Sequence, residues 1–240
     1  MGVMKAFWSN IIYKPILGLF IFILGFIPGG SLGLAIILIT ILIKIILLPL
    51  SLKSSKNAVL MRQIQPKIDA VKIKFKDKQQ QAVELMRVYK EEGVHPMSGC
   101  LPLIIQIPIL IALYQVLSAS FSGVIAPYGL ILPTNINHFF MGTDLLAKSI
   151  PLAILVGAAQ YFMAKITMNQ APTVGDDMQA QLARSMQTQM KYVLPIAMVF
   201  LAYATNGALS LYILISTLLA ILQEVLVKKY YAKKFKQEFV

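Results

Sequence analysis

The sequence predicts an all-α polytopic membrane protein, and three properties carry that prediction. Hydrophobic residues make up 58% of the 240 residues, charged residues only 13%, and the mean hydropathy is +0.72; soluble domains carry about 25% charged residues. Apolar stretches long enough to cross a bilayer alternate with basic segments. The 22 Lys and Arg outnumber the 10 Asp and Glu, an excess typical of chains whose loops face the cytoplasm.

The amino-terminal segment, residues 1–30, is expected to lie at the membrane surface rather than to cross it. The apolar run that begins at Ile16 has 12 residues before the breaker sequence Pro28-Gly29-Gly30, whereas a crossing helix needs about 20. We therefore predict an amphipathic interfacial helix here. The residue order of a cleaved signal peptide does not occur, so we expect none. The small residues up to Gly33 would allow close helix contact.

The first predicted span covers residues 31–52, and a basic segment, residues 53–96, follows it. This segment holds 10 Lys and Arg against five acidic residues. Its apolar positions recur at helical spacing in two stretches, with a turn expected at Lys76-Asp77-Lys78 and an interruption at Pro66. We predict a cytoplasmic antiparallel helical hairpin. The apolar positions are Ile64, Ile68, Val71 and Phe75 in the first arm, and Val83, Met86 and Tyr89 in the second.

Four further spans are predicted, because charge-free stretches recur after the hairpin. They cover residues 97–119, 148–166, 190–205 and 208–227. An extracytoplasmic loop (residues 120–147), a cytoplasmic loop (residues 167–189) and a basic cytoplasmic tail (residues 228–240) complete the predicted organisation.

The last charge-free stretch decides the predicted topology. Residues 192–223 carry no charge; as one straight helix they would measure about 48 Å, against a hydrocarbon core of about 30 Å. Thr205-Asn206-Gly207 is a favourable turn sequence, and a turn there divides the stretch into two spans. The basic tail then lies on the same side as the basic hairpin, as the positive-inside rule requires. We predict five spans, with the amino terminus outside and the carboxyl terminus in the cytoplasm.

Polar residues inside the predicted spans are the candidate site: Lys44, Gln106, Gln160 and Gln223. A lysine near mid-bilayer costs about 2.5 to 3.5 kcal/mol on insertion scales. Either its side chain reaches the cytoplasmic interface, or it lines a water-filled cavity. The three glutamines either join helices, at about 0.6 kcal/mol per hydrogen bond, or line the same cavity. Glu224 is expected at the cytoplasmic interface.

Several function classes are disfavoured. A single cysteine excludes a disulfide framework and a cysteine-built metal site. No catalytic triad or metal-ligand cluster is visible, so we expect neither an enzyme nor a cofactor. No acidic residue lies deep in a span beside Lys44, which argues against a proton relay. A small-solute transporter or channel and a ribosome-anchoring scaffold stay open as alternatives.

Motifs along nearly the whole chain, about residues 10–230, follow the pattern of one known family. The most specific are Gly99-Cys100-Leu101-Pro102-Leu103 and Gln106-Ile107-Pro108, preceded by Ile43-Lys44-Ile45-Ile46-Leu47-Leu48-Pro49-Leu50. The sequence thereby resembles the YidC-type (YidC/Oxa/Alb) membrane protein insertases, in a minimal form without a large extracytoplasmic domain. The family usually has arginine where this chain has Lys44, which keeps the charge but loses the planar fork of donors.

The resemblance implies a function and partners. It implies an insertase or chaperone of the cell membrane that moves short polar tails of client proteins through a hydrated intramembrane groove. The client's apolar segments would then enter the lipid without ATP hydrolysis. Lys44 would attract acidic residues of the tail, while Gln106, Gln160 and Gln223 would keep the groove wall hydrated. The implied partners are newly made membrane proteins, the ribosome, the Sec translocon, the signal-recognition-particle receptor and anionic lipids.

Overall fold

The computed structural model describes residues 8–75, 77–95, 101–121, 136–167 and 189–238, and these residues are mostly helical. Most of the predicted loops at 120–147 and 167–189 lies outside the described residues, as do Lys76 of the predicted turn and the start of the second predicted span. The helices are α1 (Lys14–Phe26), α2 (Leu32–Gln63), α3 (Gln65–Lys74), α4 (Lys78–Glu91), α5 (Leu101–Phe121), α6 (Ile150–Thr167), α7 (Leu194–Ala204) and α8 (Gly207–Glu238). Two short strands, β1 (Phe139–Phe140) and β2 (Thr143–Asp144), pair antiparallel.

The chain forms two compact units. The first comprises Met1–Leu47, Leu103–Gln160 and Pro195–Leu219, and the second comprises Leu48–Pro102, Tyr161–Leu194 and Ala220–Val240. The large apolar core lies in the first unit, and a smaller apolar cluster around Ile64 and Ile68 lies in the second.

Four helices among the described residues are long and apolar enough to cross a membrane: Trp8–Phe26, Leu32–Met61, Ile150–Thr167 and Gly207–Tyr230. The last three fall where the first, third and fifth spans are predicted. The second and fourth predicted spans fall on shorter apolar helices, Ile104–Leu117 and Lys191–Ala204.

The helix at the amino terminus is longer than the sequence analysis predicts. A π-helical turn, Trp8–Tyr13, continues α1 backwards, so that 19 residues are helical. The length argument against a crossing is therefore wrong, although a position at the interface stays a prediction. Lys14 precedes the apolar run in the sequence, yet it lies within the helix and donates to Asn10 Oδ1 over 2.7 Å. One side of α1 is buried through Leu17 and Phe20.

Helix boundaries also differ from the ends of the apolar stretches. α2 continues to Gln63, beyond the predicted end of the first span at residue 52, and α8 continues to Glu238. An apolar stretch ends where charged residues begin, whereas a helix ends at a residue that interrupts its backbone hydrogen bonds. For α2 the break comes at Ile64, and Pro66 then occupies the first turn of α3, where its missing N–H costs nothing.

Residues 136–149 hold the amino ends of two long helices in the first unit. Leu32 N donates to Asn137 O over 2.9 Å, and Gly207 N and Ala208 N donate to the carbonyl oxygens of Ala147 and Leu145 over 2.8 Å each. The first N–H groups of a helix have no partner within the helix. The predicted extracytoplasmic loop therefore satisfies the amino ends of both α2 and α8.

The turn before α8 uses its asparagine as a helix cap. The chain leaves helical structure at Thr205 and Asn206 and re-enters it at Gly207. Asn206 Oδ1 accepts a hydrogen bond from Leu209 N over 3.1 Å, as side chains at helix amino ends commonly do. Gly207 also permits a close approach, because a Cβ at this position would lie 3.2 Å from Asp144 O and from Leu145 Cα.

In the second unit, α3 and α4 pack against each other and share a small apolar cluster. Ile64 and Ile68 pack with Val94 and with partly buried residues of α4. At the other end, Gln81 is buried, and its Nε2 donates to Lys72 O and Phe75 O over 3.1 and 3.2 Å. This amide supplies donors to carbonyl groups that the end of α3 leaves without partners.

The packed face of α4 differs from the predicted one. Val83 and Met86 are 68% and 64% exposed, and Leu85 and Val88 pack on the cluster instead, together with Tyr89. Helical spacing alone allows two faces a quarter turn apart on this short helix. Burial also raises the pKa of Tyr89 above its usual value.

Gly33→Ala should destabilise the first unit by about 1 to 3 kcal/mol. A Cβ at position 33 would lie 2.3 Å from ring atoms of Phe140, so the strand residue would have to move. Thermal unfolding in detergent measures the effect. Gly25→Ala is the matched control, because no heavy atom lies within 4 Å of a Cβ there. Recovery in Gly33→Ala/Phe140→Ala is expected; equal melting of both single variants would contradict the close contact.

Gln81→Leu should loosen the end of α3 by about 1 to 3 kcal/mol, because the carbonyl groups of Lys72 and Phe75 lose their donor. Hydrogen exchange of the Phe75 amide, which bonds to Val71 O, reports the loosening. Gln80→Leu, at an exposed position of the same helix, should leave the exchange unchanged. The same protection in both variants would argue against the capping role.

Candidate functional site

Lys44 lies within α2, in the first unit. It is half-buried, and none of the described residues forms a hydrogen bond or ion pair with it. Thr40, four residues before Lys44, is buried, and its hydroxyl donates to Ile36 O of the same helix over 2.5 Å. An ammonium group in hydrocarbon needs water or an anion beside it. Because none of the described residues supplies such a partner, the Lys44 ammonium group is available to water or to an anion.

Gln106 binds two hydroxyl groups of α8. Its Nε2 donates to Tyr212 Oη over 2.6 Å and lies 3.4 Å from Ser216 Oγ. Both α8 residues are buried, and they lie one helical turn apart. A buried hydroxyl costs free energy unless it is hydrogen-bonded, so this cluster joins α5 to α8 through mutually satisfied groups.

Gln160 of α6 binds the next residue of the same turn. Its Nε2 donates to Thr217 Oγ1 over 3.2 Å, while that hydroxyl donates to Ile213 O over 2.7 Å. The structure therefore brings Gln106 and Gln160 to adjacent positions of α8, through Ser216 and Thr217.

Gln223 belongs to the second unit and has a different partner. Ser51 Oγ lies 3.0 Å from Gln223 Oε1 and 3.1 Å from Leu48 O, so its single proton can serve either acceptor. The amide of Gln223 thus joins α8 to α2. Within their units, the glutamines do what interhelical hydrogen bonding predicts.

An ion pair between a buried and a partly buried side chain lies one residue beyond Gln223. Glu224 is buried within the protein, and its Oε1 lies 3.6 Å from Lys228 Nζ; its position at the cytoplasmic interface stays a prediction. The same ammonium donates to Ile166 O, in the last turn of α6. The last carbonyl groups of a helix lack partners and carry partial negative charge. Lys228 therefore both neutralises Glu224 and caps α6.

Sequence reasoning about charge and amides missed the hydroxyl partners of the glutamines. Helical spacing offered a signal for them. Tyr212, Ser216 and Gln223 follow at i, i+4 and i+11, which is one face of α8. Thr217, Glu224 and Lys228 follow at i, i+7 and i+11 on a neighbouring face. Two polar faces on one apolar helix indicate contacts with two neighbouring helices. In the part of the chain that the structure describes, no group of three or more His, Cys, Asp or Glu could hold a metal ion.

Helices of spanning length with polar groups between them define a multi-pass helical membrane protein. Comparison with known proteins then gives its family. Residues 23–234 match the family described as "60Kd inner membrane protein", and the chain belongs to this family of YidC-type insertases.

The relatives are proteins named "Membrane protein insertase YidC". The one from Clostridium tetani is 38% identical over 205 residues, which cover 84% of each chain. The one from Fusobacterium nucleatum is 37% identical, over 83% of this chain and 87% of its own. The longer relative from Rickettsia africae is 33% identical over 95% of this chain, but only 40% of its own length is matched.

A solved structure has the same fold. It is described as "Active YidC insertase crystal structure with the first transmembrane domain resolved", is 25% identical to this chain and superposes with a TM-score of 0.58. The match covers 92% of this chain and about half, 49%, of that one. Together with the apolar helices, these relatives identify a multi-pass protein of the cell membrane.

Lys228→Met should cost on the order of 3 kcal/mol, because it leaves Glu224 buried without its counter-charge. The charge swap Glu224→Lys/Lys228→Glu restores opposite charges, but a carboxylate cannot donate to Ile166 O. We therefore expect only partial recovery of the melting temperature in detergent. Lys229→Met, at an exposed position, is the control. Full recovery by the swap would mean that the cap on α6 contributes nothing.

Proposed function

We propose that this protein is a membrane protein insertase and chaperone. It moves the short polar tail of a client protein through a hydrated groove within the membrane and releases the client's apolar segment into lipid. The observation that carries the groove is Lys44, a half-buried charge in a membrane helix with no partner among the described residues. The insertase activity is supported by relatives of that name at up to 38% identity.

Lys44 attracts acidic residues of the client's tail in this mechanism. The tail must pass hydrocarbon about 30 Å thick, and each unsatisfied polar group costs several kcal/mol there. A wet wall that carries a positive charge shortens the apolar part of that path. Lysine acts as a compact point charge with three rotatable donors, so it suits carboxylates in varied orientations and does not need a fixed bidentate geometry.

The amides of Gln106, Gln160 and Gln223 keep the groove wall hydrated. For Gln106 and Gln160 the hydrogen bonds to α8 use Nε2, and no described residue binds their Oε1 atoms. For Gln223 the arrangement is reversed, since Oε1 is the atom that binds Ser51. Each amide thus has one end fixed by a neighbouring helix and one end available to water.

The driving force comes from the client. Burial of apolar surface contributes about 25 cal/mol per Å², so an apolar segment that leaves the groove for lipid gains enough free energy without ATP hydrolysis. Clients leave along the second and fourth predicted spans.

The orientation follows from charge. The hairpin and the tail, residues 228–240, are basic, so both face the cytoplasm under the positive-inside rule, with the amino terminus outside. The hairpin receives newly made membrane proteins. The basic tail docks the ribosome or targeting factors such as the signal-recognition-particle receptor, and both basic segments contact anionic lipid. The Sec translocon is a further partner.

Lys44→Leu should slow insertion of a single-span client with an acidic outer tail on the order of tenfold, because the tail loses its attracting charge. Lys44→Arg should retain most of the activity. The measurement is protease protection of the tail after insertion into liposomes that contain the purified protein. Lys53→Leu is the matched control, since Lys53 is an exposed lysine of the same helix.

Two outcomes would contradict this account in different ways. Equal insertion by all variants would make Lys44 a residue that merely reaches the interface. No insertion above that of empty liposomes, with ribosome binding intact, would favour the ribosome-anchoring scaffold instead.

A further inference from the structure

Two buried hydroxyl groups converge on one amide nitrogen in the first unit. Tyr212 and Ser216 are only 2% and 5% exposed. Their oxygen atoms lie 2.6 and 3.4 Å from Gln106 Nε2. A side-chain amide carries two N–H donors on its nitrogen, so both hydroxyl groups can be bound at once.

The other end of that amide is available. Gln106 is half-buried, and no described residue binds its Oε1. With Nε2 held on the buried side, the amide cannot rotate without breaking two hydrogen bonds. The orientation of the group is therefore set by the hydroxyl groups of α8.

We propose that Tyr212 is a positioning residue for the client's polar tail. Its hydroxyl, assisted by that of Ser216, fixes the Gln106 amide so that Oε1 is presented to the tail as a hydrogen-bond acceptor. This inference rests on the proposed insertase function. The inference separates two kinds of contact with the tail. Lys44 binds carboxylates, whereas Oε1 of Gln106 accepts hydrogen bonds from donors such as backbone N–H groups and the side chains of serine and asparagine.

The phenol hydroxyl is not explained by packing alone. A phenylalanine at position 212 would bury the same ring without a polar atom, and a buried hydroxyl carries a desolvation cost that its hydrogen bonds only offset. The hydroxyl therefore contributes orientation rather than apolar contact.

The test uses two clients that differ only in the outer tail, one rich in aspartate and one rich in serine and asparagine. The quantity measured is the ratio of their insertion rates into liposomes that contain the full-length protein. Tyr212→Phe should lower insertion of the serine- and asparagine-rich tail about two- to tenfold relative to the acidic tail. Ser216→Ala should act in the same direction, more weakly. A purely structural loss would slow both clients alike and leave the ratio unchanged.

Tyr161→Phe is the matched control, because Tyr161 is a partly exposed tyrosine of another membrane helix; its ratio should equal that of the wild type. Gln106→Leu should shift the ratio as Tyr212→Phe does, and Tyr212→Phe/Gln106→Leu should shift it no further, since both act through one amide. Independent effects in the double variant, or an unchanged ratio in Tyr212→Phe and Ser216→Ala, would overturn the inference. Failure of the wild type to insert either client would instead overturn the proposed function.

Discussion

Hydrocarbon offers no hydrogen-bond partners, so every polar side chain of a membrane helix must find one within the protein or face water. Among the described residues, side chains of the last helix, α8, form hydrogen bonds with three other helices. In the first unit Tyr212 and Ser216 bind α5, and Thr217 binds α6. In the second unit, Gln223 binds α2 and Lys228 caps α6. Each contact is weak on its own, at about 0.6 kcal/mol for a typical interhelical hydrogen bond. Within each unit, these contacts tie α8 to the helices packed beside it.

The amino ends of α2 and α8 show the same constraint applied to the backbone. The first N–H groups of a helix need acceptors, and carbonyl groups of residues 136–149 supply them. The approach is close because Gly33 and Gly207 lack a Cβ. In the proposed orientation this segment lies on the outer side.

The sequence predicts helix boundaries correctly where turn-forming residues interrupt an apolar stretch. The break at Pro28-Gly29-Gly30 and the turn before Gly207 are places where backbone and composition agree. It fails where the end of an apolar stretch and the end of a helix do not coincide. Hydropathy places the end of the first span at residue 52, although no helix breaker follows until Pro66. It also fails where partners come from distant parts of the chain. Gln106 could be selected as a polar residue in an apolar span, but its pairing with Tyr212, 106 residues away, depends on packing that no local pattern encodes.

The polar residues assigned to the proposed groove divide into two classes by how their hydrogen-bonding capacity is used. Each glutamine uses one end of its amide in a hydrogen bond to a neighbouring helix. Such groups hydrate a surface without demanding a charged ligand. Lys44 is uncommitted among the described residues, and a charge without a counter-charge is costly in a membrane unless water or an anion reaches it. In the proposed mechanism this cost falls when an acidic tail is bound. Lys44 therefore destabilises the protein without a client and stabilises the complex with one. The gain belongs to binding rather than to folding, which is why a stabilising counter-charge at this position would be expected to impair insertion.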